Sequence, residues 1–480
     1  MTPRDLSERL ECFAEPHRER LRGLLGAPAW QSAIAEGLLD DAAAGGVAPP
    51  ETENVFALPV EQLVAANGAA TRARIAAGER DPERLLDVLG TWPAEWPAEL
   101  PVRLSFLGLN LGFACNMQPR CVYCNQRPVP SRLRPDRLPE LIADARGQVG
   151  KGPYVYLTGG EPLLAGPALW GPEGLIRRAA AVGASCNLNT NALALTPEVA
   201  LGLVRSGLGR AHISVDTHVP EVADGVYGAP GRWQQAMTGL WNLQIAKALL
   251  GAGHPLTHLN CVLTNRVAHL FPGLLAFVLS MKPIIEGAVS PDLDMHLIPV
   301  GGDGNRHLRL TAGEYERFFS GTWDDANAVW MEYQSERGVA DAERKPLHEA
   351  VPFMSPYHRV TQRGSLREWA REAAEGRVCA LALTRRCYVA PTQAFVLPDG
   401  SQYWCGGHTT TRPAPVGNVL ESSVPESIRR SVADVRGLPG PACGSCAGAT
   451  QAINQIVEGR LREQIAGWIA EAEAGPGGVS

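Results

Sequence analysis

Lysine is nearly absent, with four residues against forty arginines in a chain of 480. No basic run compensates for it and the net charge is −6, so the electrostatic footprint of a nucleic-acid or anionic-membrane partner is missing. The opening stretch, MTPRDLSERLECF, mixes charges of both signs and has no apolar h-region, so no secretory signal is visible. The longest apolar run, AHLFPGLLAFVLSMKPII, is interrupted by His269, Pro272, Lys282 and Pro283 and falls short of a membrane span. Internal repeats are also lacking. These absences predict a cytoplasmic chain without nucleic-acid or membrane partners. The rest of the composition is that of a folded globular protein, with 45% hydrophobic and 20% charged residues. Its length exceeds a single ordinary domain, which predicts a catalytic unit plus accessory regions.

Residues 1–100 read as a helical N-terminal region. The segment TWPAEWPAELP that closes it is proline-rich, and repeated proline interrupts both helix and sheet, which predicts a boundary there. From residue 101 to about 310, strand-like and helix-like runs alternate. The strands are RLSFLGLNL at 103, YVYLT at 154, CNLNT at 186, AHISVD at 211, HLNCVL at 258 and MHLIPV at 295. Six strands separated by helices predict βα units around a parallel sheet, whose chemistry gathers at the C-terminal strand ends. Residues 311–375 read as a helical linker region, 376–472 as a small C-terminal α+β unit, and 473–480 as a tail.

The eleven cysteines are grouped in clusters of metal-ligand type instead of being spread as a disulfide framework. Just after the first strand, FACNMQPRCVYCNQRP places Cys115, Cys121 and Cys124 on one loop with Cys-x5-Cys-x2-Cys spacing. Three thiolates on one loop suit a cubane with one iron left open, and a zinc knuckle is the competing reading. One βα unit later comes YLTGGEPLL, with Gly159, Gly160, Glu161 and Pro162 at a strand end. The next two strands end in Thr190-Asn191 and in Ser214-x-Asp216.

This combination resembles the radical S-adenosylmethionine (SAM) superfamily. The family's usual cysteine spacing is Cys-x3-Cys-x2-Cys with an aromatic before the third cysteine, a position that Tyr123 occupies here. The first gap is longer here, and Ala192 stands where the family's Thr-Asn-Gly has glycine. The resemblance implies a partial (β/α)6 TIM-like barrel and a SAM-binding 4Fe-4S cluster on Cys115, Cys121 and Cys124. It also implies SAM contacts from Tyr123, the Gly159 to Pro162 segment, Thr190, Asn191, Ser214 and Asp216. An electron donor such as flavodoxin or ferredoxin follows from the same chemistry.

Four more cysteines form a second set. Twelve residues separate Cys387 from Gly400 and four more separate Gly400 from Cys405, across a hairpin expected around Pro398-Asp399-Gly400. Cys443 and Cys446 form a Cys-x2-Cys knuckle before the last helix. Two pairs of thiolates ligate either a 4Fe-4S cluster or zinc. The layout resembles the SPASM and twitch domains attached to many radical SAM enzymes, in the shorter twitch form, and implies a second, auxiliary 4Fe-4S cluster.

The resemblance implies reductive cleavage of SAM to a 5'-deoxyadenosyl radical and abstraction of a substrate hydrogen atom. The second cluster favours a net oxidation of a small molecule or peptide, in natural-product, peptide or cofactor biosynthesis. A redox-neutral epimerase or rearranging enzyme would need a hydrogen donor, for which Cys261 and Cys186 on predicted strands are the candidates. A non-enzymatic metal-binding scaffold is the third reading. His296 is expected to be a core histidine.

Overall fold

The structure is a computed structural model. It describes residues 10–36, 47–146, 150–283, 289, 294–301, 303–350, 366–375, 384, 386–411, 413–440, 443 and 448–474.

Each strand expected from the alternating pattern forms: β1 Phe106–Asn110, β2 Tyr154–Thr158, β3 Ser185–Thr190, β4 Arg210–Ser214, β5 Leu256–Leu263 and β6 Asp294–Pro299. All six run parallel in sequential order, with Phe106 opposite Tyr154 and Ser214 opposite Asn260. The connecting helices carry ordinary start and stop signals. The helix Pro197–Ser206 begins at Thr196, whose hydroxyl accepts from Val199 N at 3.3 Å, and ends at Gly207 in the left-handed conformation. Such a cap contributes about 1 kcal/mol. Side chains alternate across each strand. One face, under the helices, carries Cys186, Leu188, Leu259 and Cys261 in the apolar core. The other carries a polar and aromatic layer, in which His212 bonds the Tyr154 hydroxyl at 3.1 Å and its ring lies 5.4 Å from that of His258.

The sheet does not close. Its order is β6-β5-β4-β3-β2-β1-β7-β8-β9, in which β7 (Gln393–Val396) adds to β1 in parallel, and β8 (Ser401–Tyr403) and β9 (Gly417–Asn418) follow antiparallel. The hairpin expected around Pro398-Asp399-Gly400 is therefore β7-β8, and it extends the barrel sheet itself. A helix, Gly448–Ala474, ends the described chain and packs on two N-terminal helices, Leu58–Ala76 and Pro82–Leu89. The proline-rich segment between N-terminal helices and sheet is packed rather than free: Trp92 and Trp96 are buried, their rings stack at 5.8 Å, and Trp92 Nε1 donates to Tyr388 O. Further N-terminal anchoring comes from Glu53, a buried carboxylate that accepts from Arg103 at 2.8 Å and from Lys151 N at 2.9 Å. No helix among the described residues is long and apolar enough to cross a membrane.

Candidate active site

The two sequence motifs after β1 and β2 are joined backbone to backbone. Asn110 Oδ1 turns the chain by accepting from Gly112 N at 2.9 Å. Gly160 N then donates to Gly112 O at 2.8 Å, and Glu161 N to Ala114 O at 2.7 Å. This approach requires glycine. A Cβ on Gly160 would lie 1.9 Å from Ala114 O, and Gly159 holds a φ of +138° with Gly112 O 2.3 Å from its would-be Cβ. The three-cysteine loop is thus seated on the GGEP turn with no side chain between them.

Above this seam lies a pocket of about 260 Å³. Cys115, Cys121 and Cys124 line one wall, with Tyr123 between them. Gly159, Gly160, Thr190, Asn191 and Ser214 line it from the strand ends. Every expected position from the loop and the strand ends reaches the pocket except Glu161, Pro162 and Asp216.

The carboxylate of Glu161 turns inward instead, and it is 3% exposed. It accepts from Thr190 Oγ1 at 2.7 Å, from Asn191 N at 2.8 Å and from Leu163 N at 3.1 Å. With these donors it braces the ends of β2 and β3. Pro162 starts the short 3-10 turn Pro162–Ala165. Asp216, 1% exposed, accepts from the Tyr123 hydroxyl at 2.8 Å and from Val262 N at 2.7 Å. Burial raises both acids, Asp216 to about 7. Both carboxyl groups sit behind the pocket wall, held by strand-end donors, and neither lines the pocket.

The thiols respond to one another. Burial pushes Cys121 up to about 12, with Asp216, Cys124 and Cys115 adding to the effect. Cys115 is raised by burial and partly relieved by Met117 N, which donates to its sulfur at 3.4 Å. Cys115 and Cys121 are partly buried and Cys124 is exposed; as thiolates the three would repel one another, and a cationic metal centre among them would favour that form. Among the described residues no three His, Cys, Asp or Glu side chains converge on a single-ion site.

A second thiol group lies past the β7-β8 hairpin. Cys405 follows β8 and leads into the short helix Gly406–Thr411, Cys387 precedes β7, and Cys443 Sγ lies 3.7 Å from His408 Nε2 of that helix. Burial raises Cys387 to about 11 and Cys405 to about 12, and the charge of Cys443 contributes to both. Cys446 lies outside the described residues.

Residues 109–258 match the model of the radical SAM superfamily. The chain carries a radical SAM domain. That domain implies a 4Fe-4S cluster and SAM, and it makes the chain an enzyme. The chain is 25% identical to the AdoMet-dependent heme synthase of Nitratidesulfovibrio vulgaris over 323 residues, 66% of this chain and 77% of that protein. It is 34% identical to the mycofactocin maturase of Mycobacterium ulcerans over 140 residues, 28% of this chain and 35% of that one. Among solved structures, anSMEcpe with bound AdoMet overlaps 75% of this chain and 99% of its own, at 14% identity and a TM-score of 0.48.

The residues present suit both groups. Three thiols lining the pocket would hold three irons of a cubane and leave the fourth without a protein ligand. Gln126 lines the same pocket; its amide nitrogen bonds Gly159 O, while its Oε1 is buried with no partner among the described residues, a ready acceptor. Neither Gln126 nor Asn189, which also lines the pocket, was singled out in the sequence. Strand alternation offered the signal for Asn189, two residues before Asn191.

The two proposed hydrogen donors are corrected. Val262 and Asn189 line the pocket, so Cys261 and Cys186, each on the opposite parity of its strand, face the helices. Cys261 Sγ donates to Asp216 O at 3.3 Å, and burial raises Cys186 to about 12. Neither thiol reaches the pocket of the radical SAM domain.

Proposed function

We propose that this radical SAM enzyme removes a hydrogen atom from an unreactive C–H bond of a peptide or small molecule and completes a net oxidation, as in natural-product or cofactor biosynthesis. The supporting observation is the convergence of the three-cysteine loop, the Gly159-Gly160 turn and the ends of β3 and β4 on one pocket, with a second thiol group carried on the same sheet. Similarity to an AdoMet-dependent heme synthase and a mycofactocin maturase supports a biosynthetic role.

When bound, the cluster and SAM supply a 5'-deoxyadenosyl radical by one-electron cleavage of SAM. Cys115, Cys121 and Cys124 would hold the cluster. Gly159 and Gly160 would let backbone approach SAM closely, and Gln126 Oε1 would offer it an acceptor. Ser214 and Asn189 present short polar groups to the rest of the cofactor. Glu161 and Asp216, buried behind the pocket wall, would fix the strand ends around it. Cys387, Cys405, Cys443 and Cys446 would ligate the auxiliary cluster, whose full protein ligation suits electron transfer. Pointing Cys186 and Cys261 away from the pocket removes the donors that a redox-neutral epimerase would need.

Anaerobic reconstitution with iron, sulfide, SAM and dithionite tests the reading. About eight irons per chain and formation of 5'-deoxyadenosine are expected. About four irons with bound zinc would replace the auxiliary cluster by a structural ion, and absence of 5'-deoxyadenosine would remove the reaction itself. Deuterium passing from a labelled candidate substrate into 5'-deoxyadenosine then identifies the carbon attacked.

A further inference from the structure

His408 lies in the segment WCGGH, three residues after Cys405, and is 4% exposed. It touches two thiols of the C-terminal group at once. Its backbone N–H, with that of Gly407, points to the Cys405 sulfur. Its ring Nε2 lies 3.7 Å from Cys443 Sγ. The remaining described thiol is served similarly, since Asn454 Nδ2 lies 3.8 Å from Cys387 Sγ while Asn454 Oδ1 accepts from Tyr388 N at 2.6 Å. Gly440 N also donates to Cys443 Sγ, at 3.4 Å.

A thiolate bound to iron has no S–H, so an imidazole nitrogen beside it is favourable only as a donor. Donors to the sulfurs draw charge from a cluster and favour its reduced, more negative state, which raises its potential. We infer that His408 is a positioning residue of the C-terminal cluster, its ring N–H bonding the Cys443 sulfur and holding the cluster's reduction potential up. The inference rests on the reading that this group binds an auxiliary 4Fe-4S cluster. It gives that cluster a direction: a raised potential makes it an acceptor of the electron left on the substrate after hydrogen abstraction.

The same geometry has one rival. Sulfur and nitrogen ligands on one tetrahedral zinc stand about 3.5 Å apart, close to the distance observed. In that case His408 would be a ligand and not a donor.

The test uses the full chain with Cys115, Cys121 and Cys124 changed to alanine, so that only the C-terminal cluster contributes a signal. Iron content is measured first, and about four irons per chain are expected. Zinc without iron would overturn the auxiliary-cluster reading itself. The midpoint potential is then followed by EPR in an anaerobic redox titration for the parent, His408→Leu and His408→Gln. The expected result is unchanged iron in all three, a more negative midpoint for His408→Leu, and a midpoint near the parent for His408→Gln, whose amide restores a donor. An unchanged midpoint in His408→Leu overturns the inference. Pulsed EPR of the parent provides an arm that needs no variant at His408: a weak nitrogen coupling supports a hydrogen bond, and a strong one, as from nitrogen bound to iron, overturns it.

Discussion

The hydroxyl of Tyr123, the residue between the second and third cysteines of the loop, donates to the buried carboxyl of Asp216 at 2.8 Å, linking that loop to the end of β4. Tyr123→Phe removes this donor without changing shape. A buried acceptor deprived of its partner costs about 1–3 kcal/mol, so thermal unfolding of the variant should begin earlier and SAM cleavage should fall. The pH dependence carries a sign. Asp216, raised to about 7 by burial, holds a proton in the folded chain that the unfolded chain releases near its ordinary value of 3.8. Its contribution to stability therefore declines as pH rises between those values. The Tyr123 bond limits the rise, so in Tyr123→Phe the decline should extend to higher pH. A variant with wild-type stability from pH 5 to 8 would show that the bond anchors nothing.

Gly160→Ala tests the seam under the pocket. With Ala114 O and C at 1.9 and 2.6 Å from the added Cβ, backbone has to move, not a flexible side chain. The expected outcome is a folded protein by far-UV circular dichroism with depleted iron at the first cluster and SAM affinity down by about 100-fold, or about 2.7 kcal/mol. Normal iron and normal SAM affinity would mean that the two loops do not depend on each other.

The barrel was legible because each strand is an apolar or alternating run bounded by turn residues, a local signal. The addition of β7 to β1 was not: QAFV is four residues long and its partner Phe106 lies 287 positions before Gln393, so nothing local announces the pairing. The motif positions were legible as a set, but their orientations were not. Glu161 and Asp216 read as SAM contacts through the family resemblance alone, and Thr190, Asn191, Tyr123 and Val262, which donate to them from elsewhere in the chain, leave no local signal of that inward turn. Ala192 shows the reverse case. Its φ of +63° explains why glycine is usual at that position, and alanine holds it at a strain of about 1 kcal/mol.

Cys186→Ala and Cys261→Ala should leave the chemistry alone. Each removes a sulfur from the helix-facing core, so a loss of about 1 kcal/mol in stability is expected. Yields of 5'-deoxyadenosine and of substrate-derived deuterium should match the parent. A trapped dehydrogenated product in either variant would restore the thiol as a hydrogen donor and, with it, the redox-neutral reaction.

His296 sits two residues before Ile298 of the pocket wall, opposite Asn260, and burial lowers its pKa to about 4. The folded chain keeps this ring neutral where the unfolded chain, with an ordinary value near 6.5, takes up a proton. Its contribution to stability is therefore complete above about pH 6.5 and is lost as pH falls towards 4, by at most about 1.4 kcal/mol per unit. Asp216 acts in the opposite direction across that whole window, so the absolute profile is a sum. The difference between wild type and His296→Gln isolates the histidine: urea unfolding of the two proteins should diverge less at pH 5 than at pH 7. A difference independent of pH would mean that His296 takes up its proton alike in the folded and unfolded chains, so that burial does not hold the ring neutral.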